Sequence, residues 1–368
     1  MKRNNILKKN LFICKTPFQC IVALVLKNEY FLNEENDILL TSSINNFKIL
    51  GENINKANVF KKVLYADVKK VEPKFKYALA TLSPGYYMKK INLDVKNKYT
   101  HIFSNSLYGD LENAIYFFNE DAEISMFDEG YSTYTSDFLN AIEKFSFMHK
   151  LTRKLSGFFY KRRYIDENVK NIYLFDPELC VVDMPFSIKK ILKNSRQLTE
   201  DITEKIRLIF QTNDAIKEYK TPVVFFEECF AEDFGNNGDL EIVEMIASLV
   251  KKENLTIKLH PRDKTNRFEK RNYKTNKSYF VPWEAIVLTM RNKPKLLFSF
   301  SSGAVLNYKF LCNQKNKTIL LYKLIPNDFI KMPEERLKWF DLFVKKYGKE
   351  IYAPETQEEL AEIVKGCI

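Results

Sequence analysis

The chain has 368 residues, with 58 lysines and arginines against 47 aspartates and glutamates, for a formal net charge of +11. That length exceeds one ordinary core and suits two domains of roughly 150 to 200 residues each. A composition that is 45% hydrophobic and 29% charged excludes a disordered or fibrous chain, and the positive excess points to phosphate-bearing ligands or anionic surfaces.

The start, Met1-Lys2-Arg3 through Lys8-Lys9 and then Leu11-Phe12-Ile13, has the outline of a secretion signal. Lys15 and Gln19 interrupt its apolar run, and no small-residue cleavage site follows. No stretch reaches the roughly 18 to 20 apolar residues of a membrane span, so a soluble or peripheral protein is expected. Cys14, Cys20, Cys180, Cys229, Cys312 and Cys367 form no Cys-x-x-Cys pair. This argues against a zinc site or a disulfide framework and for a reducing, cytoplasmic setting.

In chain order, Leu11 to Cys14 predicts a buried strand, Lys15-Thr16-Pro17 a turn, and Phe18 to Tyr30 a helix by its apolar spacing. Asp37 to Thr41, Val59 to Tyr65 and His101 to Ser104 read as further strands, an alternation that predicts a parallel sheet with crossover helices. Neither a Gly-x-Gly-x-x-Gly nor a Walker sequence occurs, so dinucleotide and P-loop readings lack support. Glu123 to Phe127 is a strand ending in Asp128-Glu129-Gly130, two adjacent carboxylates meeting a glycine. Carboxylates at the exit of a parallel strand face the ligand edge of the sheet, and glycine lets the backbone turn there.

Residues 145 to 164 mix Lys150, Arg153, Lys154, Lys161, Arg162 and Arg163 with Phe145, Phe147, Phe158, Phe159 and Tyr160. A helix with a solvated basic face accounts for this mixture, and so does peripheral contact with an anionic membrane. Asn171 to Phe175 and Cys180 to Asp183 are read as strands, and the crossing between domains is placed at 186–218. The domains are then 1–185 and 219–368.

The second half opens with the strand Pro222 to Phe226, followed by Glu227, Glu228, Glu232 and Asp233. After an amphipathic helix from Leu240 to Lys252 comes the strand Thr256-Ile257-Lys258-Leu259, which runs into His260-Pro261-Arg262. A residue before proline is held extended, so His260 stands fixed at a strand exit between two cations. Tyr279 to Glu284 is read as a strand ending in a carboxylate, Ala285 to Arg291 as a helix, and Leu296 to Phe300 as a strand opening into Ser301-Ser302-Gly303-Ala304. Small hydroxyl residues and a glycine at a helix start offer free N–H groups to an anion. The same residues also make an ordinary cap.

Together the motifs of the second half describe a candidate nucleotide-phosphate site, and the carboxylate pair of the first half is expected to face it across an interdomain cleft. The chain resembles bacterial sialyltransferases, most closely the lipooligosaccharide sialyltransferases of glycosyltransferase family 52. The resemblance rests on Leu11 to Gln19, Phe127-Asp128-Glu129-Gly130, Lys258-Leu259-His260-Pro261-Arg262 and Phe300-Ser301-Ser302-Gly303-Ala304. It implies an α/β fold of the GT-B glycosyltransferase type, with two Rossmann-like domains facing an interdomain cleft: an N-terminal acceptor-side domain and a C-terminal nucleotide-sugar domain.

It further implies an inverting, metal-independent transfer of sialic acid from CMP-sialic acid to a galactose-terminated glycan of a bacterial lipooligosaccharide or capsule, with no cofactor. In that reading Asp128 is the general base, with Glu129 and Gly130 beside it. His260 stabilises the departing phosphate, while Lys258, Pro261, Ser301, Ser302 and Gly303 bind the nucleotide and phosphate and Glu284 the ribose. The loop with Glu227 and Glu228 supplies an alternative base. A glucosyltransferase using UDP-glucose and a polysialyltransferase are the alternatives. Nucleic acid is not an expected partner. A homodimer, the acceptor and the linkage stay open. The expected location is the cytoplasm, with peripheral contact at the inner face of the membrane.

Overall fold

The computed structural model describes residues 8–71, 81–96, 98–193, 198–230, 238–263, 265–278, 280–312, 316–324 and 332–367. The start at residues 1–7, Glu232 and Asp233 of the acidic loop, and Tyr279 lie outside the described residues. The chain divides into two units, Met1–Ser195 and Arg196–Ile368. A last strand at Ser187–Lys190 joins the first sheet, while the helices Glu200–Phe210 and Thr212–Lys217 belong to the second unit.

The first unit runs β1 Lys9–Cys14, α1 Pro17–Tyr30, β2 Glu35–Thr41, α2 Phe47–Ala57, β3 Lys62–Ala66, α3 Pro84–Lys90, β4 His101–Ser104, α4 Asp110–Phe117, β5 Glu123–Phe127, α5 Phe147–Tyr160, β6 Val169–Leu174 and β7 Ser187–Lys190. Its seven strands lie in the order β3-β2-β1-β4-β5-β6-β7, paired in parallel throughout. Parallel strands covered by crossover helices are buried on both faces, which explains why β1 and β4 read as apolar runs rather than alternating ones. Leu11, Ile13, Leu39, Ile102 and Ile124 from the strands pack with Leu111, Ile115 and Tyr116 of α4 into one core.

The second unit runs α6 Glu200–Phe210, α7 Thr212–Lys217, β8 Val223–Phe226, α8 Asp239–Val250, β9 Leu255–Lys258, β10 Lys274–Thr275, α9 Trp283–Thr289, β11 Leu296–Ser299, α10 Ala304–Leu311, β12 Lys317–Leu320, α11 Glu334–Tyr347, β13 Ile351–Tyr352 and α12 Gln357–Lys365. The sheet order is β10-β9-β8-β11-β12-β13, again all parallel. Val223, Phe225, Ile257, Phe298 and Ile319 form its core with Val243 and Ile246 of α8.

Each sheet reverses its strand order once, between β1 and β4 in the first and between β8 and β11 in the second. At such a reversal the loops leave the sheet in opposite directions and open a crevice at the carboxyl ends of the strands.

Two expected strands are absent. Cys180 to Asp183 follows a single 3-10 turn, Pro177–Leu179, and the pairing with β6 is made later by β7. Residues 280–284 carry no strand: the edge pairing with β9 is made upstream at Lys274–Thr275, and Pro282, extended at φ −66° and ψ 142°, caps α9 instead. Glu284 therefore stands in the first turn of a helix. Among the described residues, no helix is long and apolar enough to cross a membrane.

Candidate active site

The crevice of the first unit is built by three turns. After β1, Thr16 caps α1 with its hydroxyl accepting from the Gln19 N–H at 3.2 Å, and Pro17 takes the first helical position. Gln19 completes the capping box: its Oε1 accepts the N–H groups of Lys15 at 2.6 Å and Thr16 at 3.3 Å. This locks the side chain, and its Nε2 then donates to Glu129 Oε2 at 2.6 Å. After β4, the Asn105 amide donates to the same Glu129 oxygen. Glu129 Oε1 is engaged more loosely, 3.4 Å from the Ser132 hydroxyl. Lys15, paired with buried Glu112 at 2.5 Å, adds positive potential nearby.

The two carboxylates that end β5 differ sharply. Asp128 is 0% exposed, and accepts from the Gly130 N–H at 2.8 Å, the Phe175 N–H at 3.1 Å and the buried Tyr134 hydroxyl. It fastens the ends of β5 and β6 to the loop after them. Burial pushes its carboxyl up to about 6, against the pull of those three donors. Glu129, the next residue and so turned to the other side, is half-exposed. Burial raises its carboxyl as well, with Asn105, Gln19 and Lys15 drawing it back. Gly130 takes φ 114°, a region closed to residues with a Cβ, and this is what lets its N–H turn back onto Asp128.

In the second unit a second pair of carboxylates ends β8. Glu227 is buried, accepting the N–H groups of Cys229 at 2.5 Å and His260 at 2.9 Å, with Arg267 3.6 Å away. Burial lifts its carboxyl to about 7. Glu228 is half-exposed and reaches the turn after β11. There it accepts from the hydroxyls of Ser299 at 2.6 Å and Ser301 at 2.9 Å, and from the N–H groups of Ser301 at 2.8 Å and Ser302 at 3.0 Å. The Ser-Ser-Gly turn is an anion site, and a carboxylate of the chain itself sits in it. Arg336 joins it, donating to the Ser301 hydroxyl at 2.9 Å.

His260 leaves β9 half-exposed, with Pro261 and Arg262 exposed after it. Its Nδ1 accepts the Arg262 N–H at 3.2 Å and lies 3.1 Å from the Cys229 sulfur. A ring that accepts at Nδ1 carries its proton on Nε2 when neutral, so Nε2 is the donor. Cys229, buried and at φ 59°, escaped the sequence reading; a strained turn beside a histidine is its structural mark.

Lys258 is buried beneath this edge, and its ammonium is drawn down to about 8 by burial, partly offset by Glu284 and Glu227. Glu284 is buried and accepts from Asn307 at 3.0 Å. Gly303 is half-exposed just before α10.

The structure thus gathers Glu129 with Gln19, Asn105 and Ser132 at one crevice. His260, Glu227, Cys229 and Lys258 share the second edge with Glu228, Ser301 and Ser302. The other histidines stand apart: His101 bonds Ser125 at 2.8 Å within aromatic packing, and His149 stacks on Phe145. Among the described residues no cluster of three or more His, Cys, Asp or Glu is placed to hold a metal ion. A cavity of about 970 Å³ beside Pro222 and Lys295 opens where β8 and β11 begin, at the opposite edge of the second sheet.

The sequence profile of the alpha-2,8-polysialyltransferase (POLYST) family matches residues 10–321, most of the chain. No curated protein sequence matches. Among solved structures, the chain is similar to an alpha/beta-galactoside alpha-2,3-sialyltransferase of the luminous marine bacterium Photobacterium phosphoreum, at 12% identity and a TM-score of 0.50, covering 94% of this chain and 98% of that one. It is similar to a UDP-N-acetylglucosamine 2-epimerase at 10% identity and a TM-score of 0.50, covering 98% and 86%. At such identities the likeness is one of fold, and both units are Rossmann-like halves of the GT-B type.

Proposed function

The chain belongs to the alpha-2,8-polysialyltransferase family and is a glycosyltransferase of sialyltransferase type, and from that premise we propose that it transfers sialic acid from CMP-sialic acid to a sialic-acid-terminated glycan, with inversion and without a metal. The family match favours this acceptor over the terminal galactose expected from the sequence. The net charge of +11 also favours an anionic acceptor over a neutral one. The transfer would take place at the cytoplasmic side of a membrane, a setting that suits six cysteines held as thiols outside disulfides.

The observation that carries the mechanism is Glu129, the half-exposed carboxylate after β5 that is held by the side-chain amides of Gln19 and Asn105 from the turns after β1 and β4. In the proposed reaction the acceptor hydroxyl approaches Glu129 Oε1, gives up its proton there, and its oxygen bonds the anomeric carbon of the donor from the face opposite CMP. The bond from that carbon to the phosphate oxygen breaks, and its electron pair leaves on CMP. His260 Nε2–H donates to the departing phosphate, where charge develops. Lys258 supplies positive potential from below. The donor phosphate takes over from Glu228 the N–H groups of Ser301 and Ser302.

Asp128, sealed in and bonded to three donors, is a positioning residue for Gly130 and the loop that carries Glu129. Glu227 has the same office for Cys229 and His260. Incubation with CMP-sialic acid and either oligosialic acid or lactose tests the acceptor. Products longer than the oligosialic primer are expected, and products on lactose alone would overturn the assignment.

A further inference from the structure

Helix α5 is turned the wrong way out for a soluble protein. Its inward face is polar, with Thr152, Arg153 and Ser156 buried. Arg153 pairs with Asp166 and lies 3.7 Å from the Tyr164 ring centre, and the Tyr164 hydroxyl returns a bond to the Arg153 carbonyl at 2.7 Å. Arg162, just past the helix, donates to the Thr81 carbonyl at 2.8 Å and the Ser156 hydroxyl at 3.3 Å. The outward face is apolar: Phe147 is 78% exposed, Met148 60%, Phe158 77% and Phe159 69%, with Leu151 and Leu155 between them. The spacing 147-151-155-158 with 148 and 159 makes one continuous stripe along the helix. Solvated helices show the reverse arrangement, and an exposed stripe of this size marks a docking surface.

Exposed Lys150 and Lys154 fall along one margin of the stripe. Beside them lies a cavity of about 530 Å³ lined by Lys150, Arg153, Lys154 and Arg162, with Glu143 and Glu167 as its acidic members. Arg162 is 5% exposed, and its Nε has no partner. An apolar stripe edged by lysines, with an incompletely bonded buried guanidinium beside it, is complementary to a surface that is apolar inside and phosphate-bearing outside. A polyanionic glycan would meet the lysines but leave the phenylalanines in water.

We propose that α5 docks the enzyme on an anionic bilayer: the Phe147 to Phe159 stripe enters the interface, the lysines meet the headgroups, and the basic cavity takes a lipid phosphate. The experiment is co-sedimentation of the full chain with vesicles of phosphatidylcholine alone or of an equal mixture of phosphatidylcholine and phosphatidylglycerol. Wild type is expected to partition at least tenfold more strongly to the mixed vesicles. The paired change Phe158→Ser with Phe159→Ser is expected to lower that partition tenfold or more, and Lys150→Ser with Lys154→Ser roughly 30-fold. Unchanged thermal unfolding shows that the exposed changes leave the fold intact. No sedimentation, or sedimentation indifferent to the phenylalanine pair, overturns the proposal. A dimer that becomes a monomer in that pair, by sedimentation velocity, overturns it also, because the stripe is then a self-interface. The readout needs no turnover, so it stands or falls separately from the proposed reaction.

Discussion

Two strands, β5 in the first unit and β8 in the second, end in the same way, with a pair of adjacent carboxylates at the carboxyl edge of a parallel sheet. In both pairs the first member is buried and holds backbone: Asp128 takes the N–H groups of Gly130 and Phe175, and Glu227 those of Cys229 and His260. In both pairs the second member is half-exposed: Glu228 at the reversal of strand order beside β8, and Glu129 one strand from the β1–β4 reversal, bonded to Gln19 and Asn105 from the turns that flank it. The difference lies in what holds that second member. Glu129 is aimed by two side-chain amides and keeps a loosely engaged oxygen, whereas Glu228 is parked on two backbone N–H groups and two hydroxyls. The first arrangement suits a base, and the second a carboxylate occupying the place of another anion.

The comparison breaks most visibly at Glu129. Glu129→Gln is expected to lower kcat/KM by roughly 10² to 10⁴, the usual contribution of a general base, while leaving stability near wild type. The acid limb of the wild-type pH–rate profile is expected above the ordinary carboxylate range, because burial raises the Glu129 carboxyl and it must be ionised to act. A Glu228→Gln variant that loses activity instead would exchange the two roles.

The next effect in size is on stability. The Asp128 carboxyl is raised from 3.8 to about 6, so the folded chain keeps this proton to higher pH than the unfolded chain does. Its contribution to stability is full below 3.8 and is lost as pH rises to about 6, a change of about 3 kcal/mol. Unfolding free energies of wild type and Asp128→Asn, measured by denaturant across that range, are expected to diverge by this amount, with wild type losing stability as pH rises. Gly130→Ala forces a Cβ onto φ 114° and is expected to cost about 1 to 3 kcal/mol in the same assay.

Glu228→Gln sharpens the comparison further. Removing the charge that competes for Ser301 and Ser302 is expected to lower the apparent KM for the donor about tenfold with kcat retained. An unchanged KM would mean that the donor phosphate never enters that turn. The smallest expected effect is that of Gln19→Ala. It removes the capping-box partner, at about 1 kcal/mol, and takes one donor from Glu129, which moves the acid limb to higher pH.

Much of the fold could be read from the sequence, because β1, β4, β5, β8, β9 and β11 are apolar runs punctuated by turns, and the motifs sit at their exits. Which carboxylate of a pair is buried could not. Whether Asp128 or Glu129 faces the crevice depends on how β5 pairs with β6, where the register shifts between Ile124 and Ser125. Gln19 and Asn105 act through the approach of turns distant in sequence, so no local pattern announces them. The Ser-Ser-Gly turn was legible as an anion site, but its occupant lies 73 positions away, and pairing of that kind is tertiary. The Tyr279 to Glu284 stretch misled because aromatic and β-branched residues suggest a strand, whereas Pro282 starts a helix there.

The most direct test of the account is CMP release from CMP-sialic acid, with and without oligosialic acid, for wild type, Glu129→Gln, Asp128→Asn and His260→Ala. The account predicts acceptor-stimulated release in wild type that persists with EDTA, falls by at least 10² in Glu129→Gln and in His260→Ala, and survives in the fraction of Asp128→Asn that folds. Full activity in Glu129→Gln, or no CMP release with any sugar acceptor, would contradict it.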